Sequence, residues 1–325
     1  MREISFTGID GIQVGHEQDL RAATGCTVVI AREGAVAGVD VRGGAPGTRE
    51  TDLLNPVNLV EKVHAVFLAG GSAFGLAAGT GVMRFLEEKG VGFDVQVARV
   101  PIVCGAVLFD LAVGDPRVRP DMDMGYRACR NASAGECGQG SVGAGAGASV
   151  GKVLGMGRAM KSGLGYHAVQ IGELRVGALV AVNSLGDVVD PLTGERIAGV
   201  LGEDGGVLDS EEIMIDQSAG MKNRFVSNTT IGVVATNAAL TKPQASKVAS
   251  MAHNGYARTL RPAHSMFDGD TIFSLATGKV EADVNVVGLL AARVMERAVV
   301  AAVKKATPLC GLKSWSDMHR GRINE

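Results

Sequence analysis

Residues 227–237, with the sequence Ser-Asn-Thr-Thr-Ile-Gly-Val-Val-Ala-Thr-Asn, constrain the fold more than any other segment. Four residues share one face at a two-residue period, and further β-branched residues stand between them, which predicts a buried strand. The four are Thr229, Ile231, Val233 and Ala235. The strand begins with Asn228-Thr229, a small polar pair. Taken alone, this pair is explained by the β propensity of Thr and the turn preference of Asn.

The pair Asn228-Thr229 also permits a chemical interpretation, which is self-cleavage. The Thr229 hydroxyl can attack the carbonyl carbon of Asn228, and water then hydrolyses the resulting ester. The new chain begins at Thr229, whose free α-amine is a general base for its own hydroxyl. Such an amine has an unperturbed pKa of about 7.7–8.0, so a useful fraction is neutral near physiological pH. The rest of the sequence must decide between the two interpretations.

The composition argues against several classes of protein. The 325 residues are enough for one large domain or two ordinary ones. A net charge of −2 argues against a general nucleic-acid or anionic-membrane binder. The 46 glycines exceed the usual share of roughly 7%, and aromatic residues make up only 4%. Because no long polar low-complexity tract is present, we expect closely packed backbones and tight turns rather than disorder.

Cysteine usage and the apolar segments bear on the cellular compartment. The five cysteines are odd in number and none forms a C-x-x-C pair, which indicates free thiols in a reducing compartment rather than disulfides or structural zinc. They are Cys26, Cys104, Cys129, Cys137 and Cys310. The N-terminal residues lack the apolar region of a secretion signal, and the best membrane-span candidate, 284–303, contains three charged residues. We therefore expect a cytoplasmic protein with no membrane partner.

Two glycine-rich segments suggest nucleotide-binding loops, and both fail the test. After a predicted strand, a dinucleotide fingerprint starting at Gly70 would need a third-position Gly where Ser72 stands. A phosphate loop ending at Lys152 would need Gly at Ala146 and Ser or Thr at Val153. We therefore predict no nucleotide cofactor. The first segment indicates close helix–sheet packing, and the second either brings Lys152 to a place of close backbone approach or leaves it on the solvated surface.

The order of elements predicts an α/β protein. Strand patterns dominate the middle of the chain, and an earlier pair, 26–31 and 35–41, predicts a hairpin with its turn at Glu33-Gly34. Helix patterns occur at 72–89, 241–260 and 284–305. Two sheets covered by helices, an αββα four-layer sandwich in a single domain, fit this order better than a repeating βαβ series. We expect residues 194–224 to form a mobile surface segment and 307–325 to form a tail.

Two further polar positions stand at the ends of predicted elements. Asp268-Gly269-Asp270 is most simply a turn with solvated carboxylates, because the residues after it lack the ligand pattern and the Glu of a calcium loop. Asn183 follows a predicted strand, where it can cap a turn. The six histidines form no H-E-x-x-H motif or other close pair, so we predict no metal centre.

Taken together, these motifs resemble the self-processing aminopeptidase/D-esterase family. That family includes the DmpA-type aminopeptidases, the β-aminopeptidases and the nylon-oligomer hydrolases, and is distantly related to ornithine acetyltransferase. The resemblance rests on residues 12–16, 41–44, 68–76, 151–152, 182–183, 228–237 and 267–271. It covers nearly the whole chain up to about residue 306, and the motifs are specific in combination rather than singly.

The resemblance implies an αββα fold of the DmpA and ornithine acetyltransferase type, which is N-terminal-nucleophile-like. It implies cleavage between Asn228 and Thr229 into an α chain of residues 1–228 and a β chain of residues 229–325. These α/β heterodimers would assemble into homo-oligomers, most often tetramers. Thr229 would be the nucleophile, and its own amine would act on the proton of its hydroxyl.

The resemblance also implies roles for four other residues. Asp268 and Asp270 match an acidic or hydroxyl pair that would orient the Thr229 amine and hold its proton. Lys152 and Asn183 match positions that line the same site. A side-chain amide such as that of Asn183 is suited to stabilising the oxyanion of a tetrahedral intermediate.

Departures from the family pattern favour one branch of it. Aminopeptidase members tend to use a Ser nucleophile and a downstream Ser…Glu pair, whereas Thr229 with Asp268 and Asp270 matches the nylon-oligomer hydrolases. That branch can carry Tyr where this chain has Phe74. Amide hydrolysis is therefore better supported than any particular substrate.

Three hypotheses of function follow. The main one is an N-terminal Thr amidohydrolase that needs no cofactor and acts on short peptides, amino-acid amides or ω-amino-acid oligomers through an acyl-enzyme. The second is acyl transfer to an amine, as in the ornithine acetyltransferase relatives. The third is a small-molecule binding protein that keeps the fold without the activity.

Overall fold

The computed structural model describes residues 1–218 and 228–319. Its helices are α1 (Ala78–Glu88), α2 (Met122–Arg130), α3 (Ser210–Asp216), α4 (Lys242–Thr259), α5 (Val284–Lys304) and α6 (Trp315–His319). Its strands are β1 (Arg2–Ile4), β2 (Gln13–Asp19), β3 (Thr24–Val41), β4 (Thr48–Arg49), β5 (Lys62–Ala69), β6 (Phe93–Asp94), β7 (Arg99–Val100), β8 (Val103–Val107), β9 (Ser149–Val150), β10 (Met160–Lys161), β11 (Leu164–Ile171), β12 (Leu174–Ala181), β13 (Asp187–Val189), β14 (Arg196–Ala198), β15 (Ile231–Ala238), β16 (Leu260–Arg261) and β17 (Thr271–Val280).

Within the described residues, 10 strands hydrogen-bond into one large sheet. Their order is β1-β11-β12-β15-β17-β3-β5-β8-β4, with β2 beside β3. The pairs β15–β17 and β5–β8 are parallel, and the other pairs are antiparallel. This mixed sheet confirms the predicted α/β class.

The long strand β3 divides the sheet into two layers. Its residues 26–30 pair with β2 on one side and β5 on the other, whereas residues 36–41 pair with β17. The register shifts between these halves, where Gly34 has φ +76°. The predicted hairpin with a turn at Glu33-Gly34 is therefore wrong. Glycine allows an irregularity within one continuous strand, and β5 pairs with β3 on both sides of it, at residues 26–30 and again at 35–36.

The strands of both sheet layers are apolar on both faces, so that one strand contributes side chains to two cores, as β15 shows. Ile231 and Val233 of β15 pack in the same cluster as Leu68 of β5, which lies in the other layer. Val234, on the opposite face of β15, packs in a second cluster with Val248 of α4 and residues of α5. A third cluster joins α1 and α2 to the outer face of β5 and β8. The order helix, sheet, sheet, helix confirms the αββα prediction.

The helix ends follow the sequence signals. The Thr241 hydroxyl accepts the Gln244 N–H at the start of α4, and the Gln244 side chain completes a capping box. The Asp283 carboxylate accepts a backbone N–H at the start of α5. The helices predicted at 241–260 and 284–305 are thereby confirmed. The helix predicted at 72–89 begins instead as a 3₁₀ turn, Ser72–Ala77, before α1.

The chain after α5 packs on the body of the protein. The Ser141 hydroxyl donates to the carbonyl oxygen of Thr307 at 2.9 Å, and the Lys161 N–H donates to that of Lys313 at 2.8 Å. The segment predicted as a tail is thus part of the fold as far as α6. The predicted surface segment 194–224 contains β14 and α3, and its residues from 219 onward lie outside the described ones. No helix in the described part of the chain is long and apolar enough to cross a membrane.

Candidate active site

The pair Asn228-Thr229 lies at the N-terminal end of β15, between β12 and β17. Both residues are buried, with 1% and 4% of their surface exposed. The chain is continuous here, so the geometry is that of the uncut chain. The Thr229 N–H donates to the carbonyl oxygen of Asn183 at 3.0 Å, and Thr229 Oγ1 contacts the carbonyl oxygen of Asn228. The hydroxyl therefore lies against the peptide group whose cleavage was predicted.

The acidic turn 268–270 lies beside this peptide group because the parallel pairing of β15 with β17 continues upstream of both strands. The Asn228 N–H donates to the carbonyl oxygen of Phe267 at 3.0 Å. The Gly269 N–H donates to the carbonyl oxygen of Asn228 at 3.1 Å. A backbone N–H aimed at this oxygen can stabilise negative charge that develops on it.

The two carboxylates of the turn have different partners. Asp268 Oδ2 accepts the N–H and the hydroxyl of Ser265 at 2.8 and 2.5 Å. Asp270 Oδ1 accepts the Thr230 N–H at 2.8 Å, and its Oδ2 contacts the backbone N and Nδ1 of His264 at 3.0 and 2.9 Å. Burial, followed by the charge of Asp270, raises the pKa of Asp268 to about 6. Asp268 therefore titrates near neutral pH, while Asp270 fixes the start of β15.

Lys152 is buried beside Asn183, with 3% of its surface exposed. Its Nζ donates to the carbonyl oxygen and to Oδ1 of Asn183 at 3.1 and 2.8 Å. The same carbonyl oxygen accepts the Thr229 N–H. Burial lowers the pKa of Lys152 to about 7, and the nearby charge of Asp268 acts in the opposite direction. Lys152 can therefore be neutral or charged near pH 7.

The backbone around Lys152 explains how this side chain reaches the interior. The Gly151 and Lys152 N–H groups donate to the carbonyl oxygens of Gly186 and Leu185 at 2.9 and 2.8 Å. Gly151 has φ +72°, and a Cβ there would lie 1.9 Å from the carbonyl carbon of Gly199. This close backbone approach confirms one of the two interpretations of the segment, and a solvated surface position for Lys152 is wrong.

Asn183 is placed differently from the sequence-based expectation. Its amide nitrogen donates to the carbonyl oxygen of Phe109 at 2.8 Å, and its Oδ1 accepts the Ser149 N–H at 3.1 Å as well as Lys152. The predicted role as oxyanion donor is therefore not the contact seen in the uncut chain. Asn183 holds Lys152, and the N–H of Gly269 is the donor found on the Asn228 carbonyl oxygen.

Several features of the site were missed by sequence reasoning. The donor at Gly269 is a backbone group, which no residue type signals. His264 and Ser265 could have been noticed because they stand just before the acidic turn. Gly43, in a motif already singled out, is needed because a Cβ there would lie 2.2 Å from the carbonyl oxygen of Asp268.

The assembled groups suit covalent acyl chemistry. A hydroxyl and an aimed backbone N–H meet at one peptide group, and the residues bonded to this group hold a lysine of lowered pKa and the acidic turn beside it. This is the set of groups that nucleophilic catalysis needs. Within residues 1–218 and 228–319, no group of three or more His, Cys, Asp or Glu side chains could hold a metal ion.

Comparison with solved structures defines the class of the fold. An L-aminopeptidase D-Ala-esterase/amidase from Ochrobactrum anthropi, described as a variant of the Ntn hydrolase fold, matches with a TM-score of 0.71. The match covers 98% of this chain and 92% of that one at 19% identity. The chain therefore has this variant of the N-terminal-nucleophile hydrolase fold.

Comparison of sequences defines the family. The model of peptidase family S58 matches residues 5–315. An uncharacterized aminopeptidase of Mycobacterium tuberculosis is 44% identical over 98% of both chains. The 6-aminohexanoate-oligomer endohydrolase of a Kocuria species is 31% identical over 93% of this chain and 87% of that protein. The chain belongs to peptidase family S58 and is a hydrolase of carbon–nitrogen bonds, which confirms the resemblance found in its motifs.

Proposed function

We propose that this chain is a self-processing amidohydrolase whose nucleophile is Thr229. The observation that supports this most is the environment of one peptide group. Thr229 Oγ1 contacts the carbonyl of Asn228, and the Gly269 N–H donates to the same carbonyl oxygen at 3.1 Å. A nucleophile and an oxyanion donor on one buried carbonyl are what self-cleavage requires.

The self-cleavage proceeds in two steps. In the first, Thr229 Oγ1 attacks the carbonyl carbon of Asn228, the C–N bond breaks, and the hydroxyl proton ends on the Thr229 nitrogen. The peptide bond becomes an ester, and the Gly269 N–H stabilises the oxyanion on the way. Water then hydrolyses the ester. This step restores the hydroxyl, leaves a carboxylate on Asn228 and separates the chains 1–228 and 229–325, the second of which begins with the α-amine released in the first step.

The freed amine then serves as the general base of turnover. In the uncut chain the Thr229 nitrogen donates to the Asn183 carbonyl oxygen at 3.0 Å, and Lys152 Nζ donates to the same oxygen at 3.1 Å. A nearby positive charge disfavours a second one, so Lys152 in its charged form favours the neutral amine. The charge of Asp268 opposes the effect of burial on the Lys152 pKa and favours the protonated form of Lys152.

Turnover uses the same groups on a substrate amide. The Thr229 hydroxyl attacks the substrate carbonyl, the α-amine takes its proton and passes it to the leaving amine, and an acyl-enzyme remains. Water, activated by the same amine, then releases the acid and restores the hydroxyl. Each step is complete with groups of this chain and water, so we propose that no cofactor takes part.

We propose short peptides, amino-acid amides and ω-amino-acid oligomers as substrates. The names of the relatives support these classes, since one is an aminopeptidase and another acts on 6-aminohexanoate oligomers. The pairing of a Thr nucleophile with two Asp residues supports the oligomer class. Hydrolysis and acyl transfer share the acyl-enzyme, so the release of free acid in the presence of ornithine would distinguish them.

We also propose the assembly and the compartment that the motifs suggest. The resemblance supports homo-oligomers of α/β heterodimers, with a tetramer as the expected form. All five cysteines are free thiols, four of them buried, which supports a reducing compartment such as the cytoplasm. Light scattering of the purified protein would test the tetramer.

The test of the proposed function is the denatured mass of the purified protein beside that of Thr229→Ala. We expect two fragments in the wild type, the smaller beginning at Thr229, and one uncut chain in the variant. Thr229→Ser should still be cut, because it keeps a hydroxyl at the same place. Thr193→Ala, which removes a hydroxyl from an exposed turn, is the control and should be cut like the wild type. A wild type that stays whole after long incubation would overturn the proposal.

A further inference from the structure

Asp270 is held by a histidine that the proposed mechanism does not use. The carboxylate oxygen Oδ2 contacts His264 Nδ1 at 2.9 Å, and it also accepts the His264 backbone N–H at 3.0 Å. A carboxylate accepts hydrogen bonds, so the hydrogen of the ring lies on Nδ1. In a neutral ring the other nitrogen, Nε2, is then an acceptor.

His264 Nε2 is one of four buried polar atoms in a cluster of side chains next to Asp270. None of the four has a hydrogen-bond partner among the described residues, and the other three are His253 Nδ1, Tyr256 Oη and Thr230 Oγ1. The three ring centroids lie 4.9 to 6.2 Å apart. Thr230 donates its N–H to Asp270 at 2.8 Å. The three rings thus form one cluster, and His264 and Thr230 join it to the Asp270 carboxylate.

Strand geometry places the hydroxyls of Tyr256 and Thr230 on the same side of β15. A Cβ at Gly232 would lie 2.7 Å from the Tyr256 hydroxyl oxygen. Gly232 and Thr230 are two residues apart, so their side-chain directions share one face. Burial and the charge of Asp270 raise the pKa of Tyr256 well above its ordinary value, so its phenol keeps its hydrogen.

The donors and acceptors of this set complement one water molecule. His253 Nε2 lies 2.9 Å from the carbonyl oxygen of Asp40, so Nε2 carries the hydrogen and Nδ1 is an acceptor. Burial lowers the pKa of His253 to about 4, which keeps the ring neutral at pH 7. Two ring nitrogens that accept and two hydroxyls that donate match the two hydrogens and two lone pairs of water. Buried waters typically have two to four such polar partners.

We propose that His264 is a positioning residue for Asp270, held in its Nδ1–H tautomer by a buried water that donates to His264 Nε2 and His253 Nδ1 and accepts from the hydroxyls of Tyr256 and Thr230. The role of His264 rests on the proposed function, because it concerns the backbone that carries the proposed nucleophile, Thr229. Asp270 Oδ1 accepts the N–H of Thr230, the residue after Thr229. By fixing the carboxylate, His264 fixes the backbone from which the nucleophile projects.

The first experiment reads the tautomer without any enzyme activity. It uses ¹⁵N-histidine-labelled Thr229→Ala chain, which stays uncut, and assigns the His264 signals by their loss in an added His264→Asn substitution. We expect two-bond ¹H–¹⁵N correlations to show hydrogen on Nδ1 of His264. Tyr256→Phe, which removes only the hydroxyl, should move the signals of His264 Nε2 and His253 Nδ1. An Nε2–H tautomer, or signals that Tyr256→Phe leaves in place, would overturn the water site.

The second experiment measures kcat and KM on an amino-acid p-nitroanilide in the otherwise unchanged chain. Loss of a hydrogen bond to a charged group corresponds to about a 10-fold to 100-fold effect, so we expect His264→Leu to lower kcat by that factor with KM within about 2-fold. His264→Asn should restore most of the loss, because its amide can donate from near the Nδ1 position. A merely structural role would lower the melting temperature of both variants alike without this rescue.

The outcomes separate this proposal from the one it rests on. Unchanged kcat in folded His264→Leu would overturn the positioning role while self-cleavage at Thr229 stands. A wild type that is neither cut nor active would overturn the proposed function and with it the positioning role. The tautomer and the Tyr256→Phe shifts would still decide the water site, because they are measured in the uncut chain. If His264→Leu does not fold, Tyr256→Phe is expected to lower kcat in the same direction by a smaller factor, and unchanged kcat there would count against the proposal.

Discussion

Two lysines, Lys152 and Lys161, are both buried but have very different neighbours. Burial lowers the pKa of each to about 7. Lys161 Nζ donates to three backbone carbonyl oxygens, those of Gly145, Ala148 and Ser162. Lys152 Nζ donates to a single residue, Asn183, through its carbonyl and its side chain. The same desolvation thus acts on one amine enclosed by main chain and on another that shares an acceptor, the Asn183 carbonyl oxygen, with the Thr229 N–H.

Asp110 connects the two lysines electrostatically. Its charge favours the protonated form of both, as the first opposing influence on Lys161 and the second, after Asp268, on Lys152. Its own carboxylate is buried and accepts the Gly71 N–H and the Thr24 hydroxyl, each at 2.7 Å. A lowered pKa alone therefore does not distinguish a catalytic lysine from a structural one, and the partners of the Nζ atom do.

The largest expected effect is the loss of activity in Lys152→Met. Met fills a similar volume without charge, so the site loses the amine that neighbours the Thr229 nitrogen. We expect kcat/KM to fall by at least about 100-fold, a typical contribution of a positioned acid–base or charged group. Turnover of an amino-acid p-nitroanilide measures this, and circular dichroism checks the fold. A folded variant with kcat/KM within about 3-fold of the wild type would show that Lys152 has no role in catalysis.

The second effect is the loss of stability in Lys161→Met. The three carbonyl oxygens that accept from Lys161 would lose this buried donor, and losing such hydrogen bonds costs about 1–3 kcal/mol. Urea unfolding followed by circular dichroism measures the free energy of unfolding. Activity per folded molecule should stay close to that of the wild type, which is the reverse of Lys152→Met. Equal losses of activity in the two variants would contradict the comparison.

The third effect is the pH dependence of stability, in which the two lysines should behave alike. Both have folded-state pKa values of about 7 against an ordinary 10.5, so between these values the unfolded state binds more protons and stability rises with pH. Asp110 and Asp268 have pKa values raised from 3.8 to about 6, so across that interval stability falls as pH rises. We expect a minimum near about pH 6–7 in unfolding free energies measured from pH 4 to 10.

The lysine variants should change this profile in the same way. Lys152→Met and Lys161→Met each remove one group that binds a proton on unfolding above pH 7, so each should flatten the rise toward pH 10. A rise of unchanged slope in both variants would show that other groups cause it. If each variant flattens the rise by a similar amount, the two lysines are alike in proton linkage and differ only in their effect on activity, which is the contrast that their contacts predict.

The structure could be predicted from the sequence alone in some parts of the molecule and not in others. The strand after Thr229 and helices α4 and α5 were predictable, because two-residue alternation and N-caps are local signals. The single strand β3 was not, since Glu33-Gly34 has the composition of a turn. The choice between a reversal and a bulge depended on β17, more than two hundred residues downstream, which pairs with the second half of β3.

The candidate site shows the same limit. Resemblance to a family placed Thr229, Lys152 and the acidic turn in one site, and the structure brings them together. The donor at Gly269 could not be predicted, because every residue except proline has a backbone N–H and only the register of β15 with β17 aims this one. Asp110, whose charge raises the pKa of both lysines, stands outside any sequence motif and so could not be predicted.

The smallest expected effect comes from two serines, Ser265 beside Asp268 near the candidate site and Ser162 beside Lys161. The Ser265 hydroxyl donates to Asp268 Oδ2 at 2.5 Å and lowers the pKa of that carboxyl. Ser265→Ala should therefore raise this pKa, move the acidic limb of the kcat profile up by less than about one pH unit and lower kcat less than about 10-fold. Ser162→Ala is the matched control beside Lys161, since the Ser162 hydroxyl is buried without a partner among the described residues and only its carbonyl oxygen holds the lysine. Its profile should coincide with that of the wild type. An acidic limb that moves equally in both variants, or in neither, would mean that Asp268 does not set the acidic limit of the reaction.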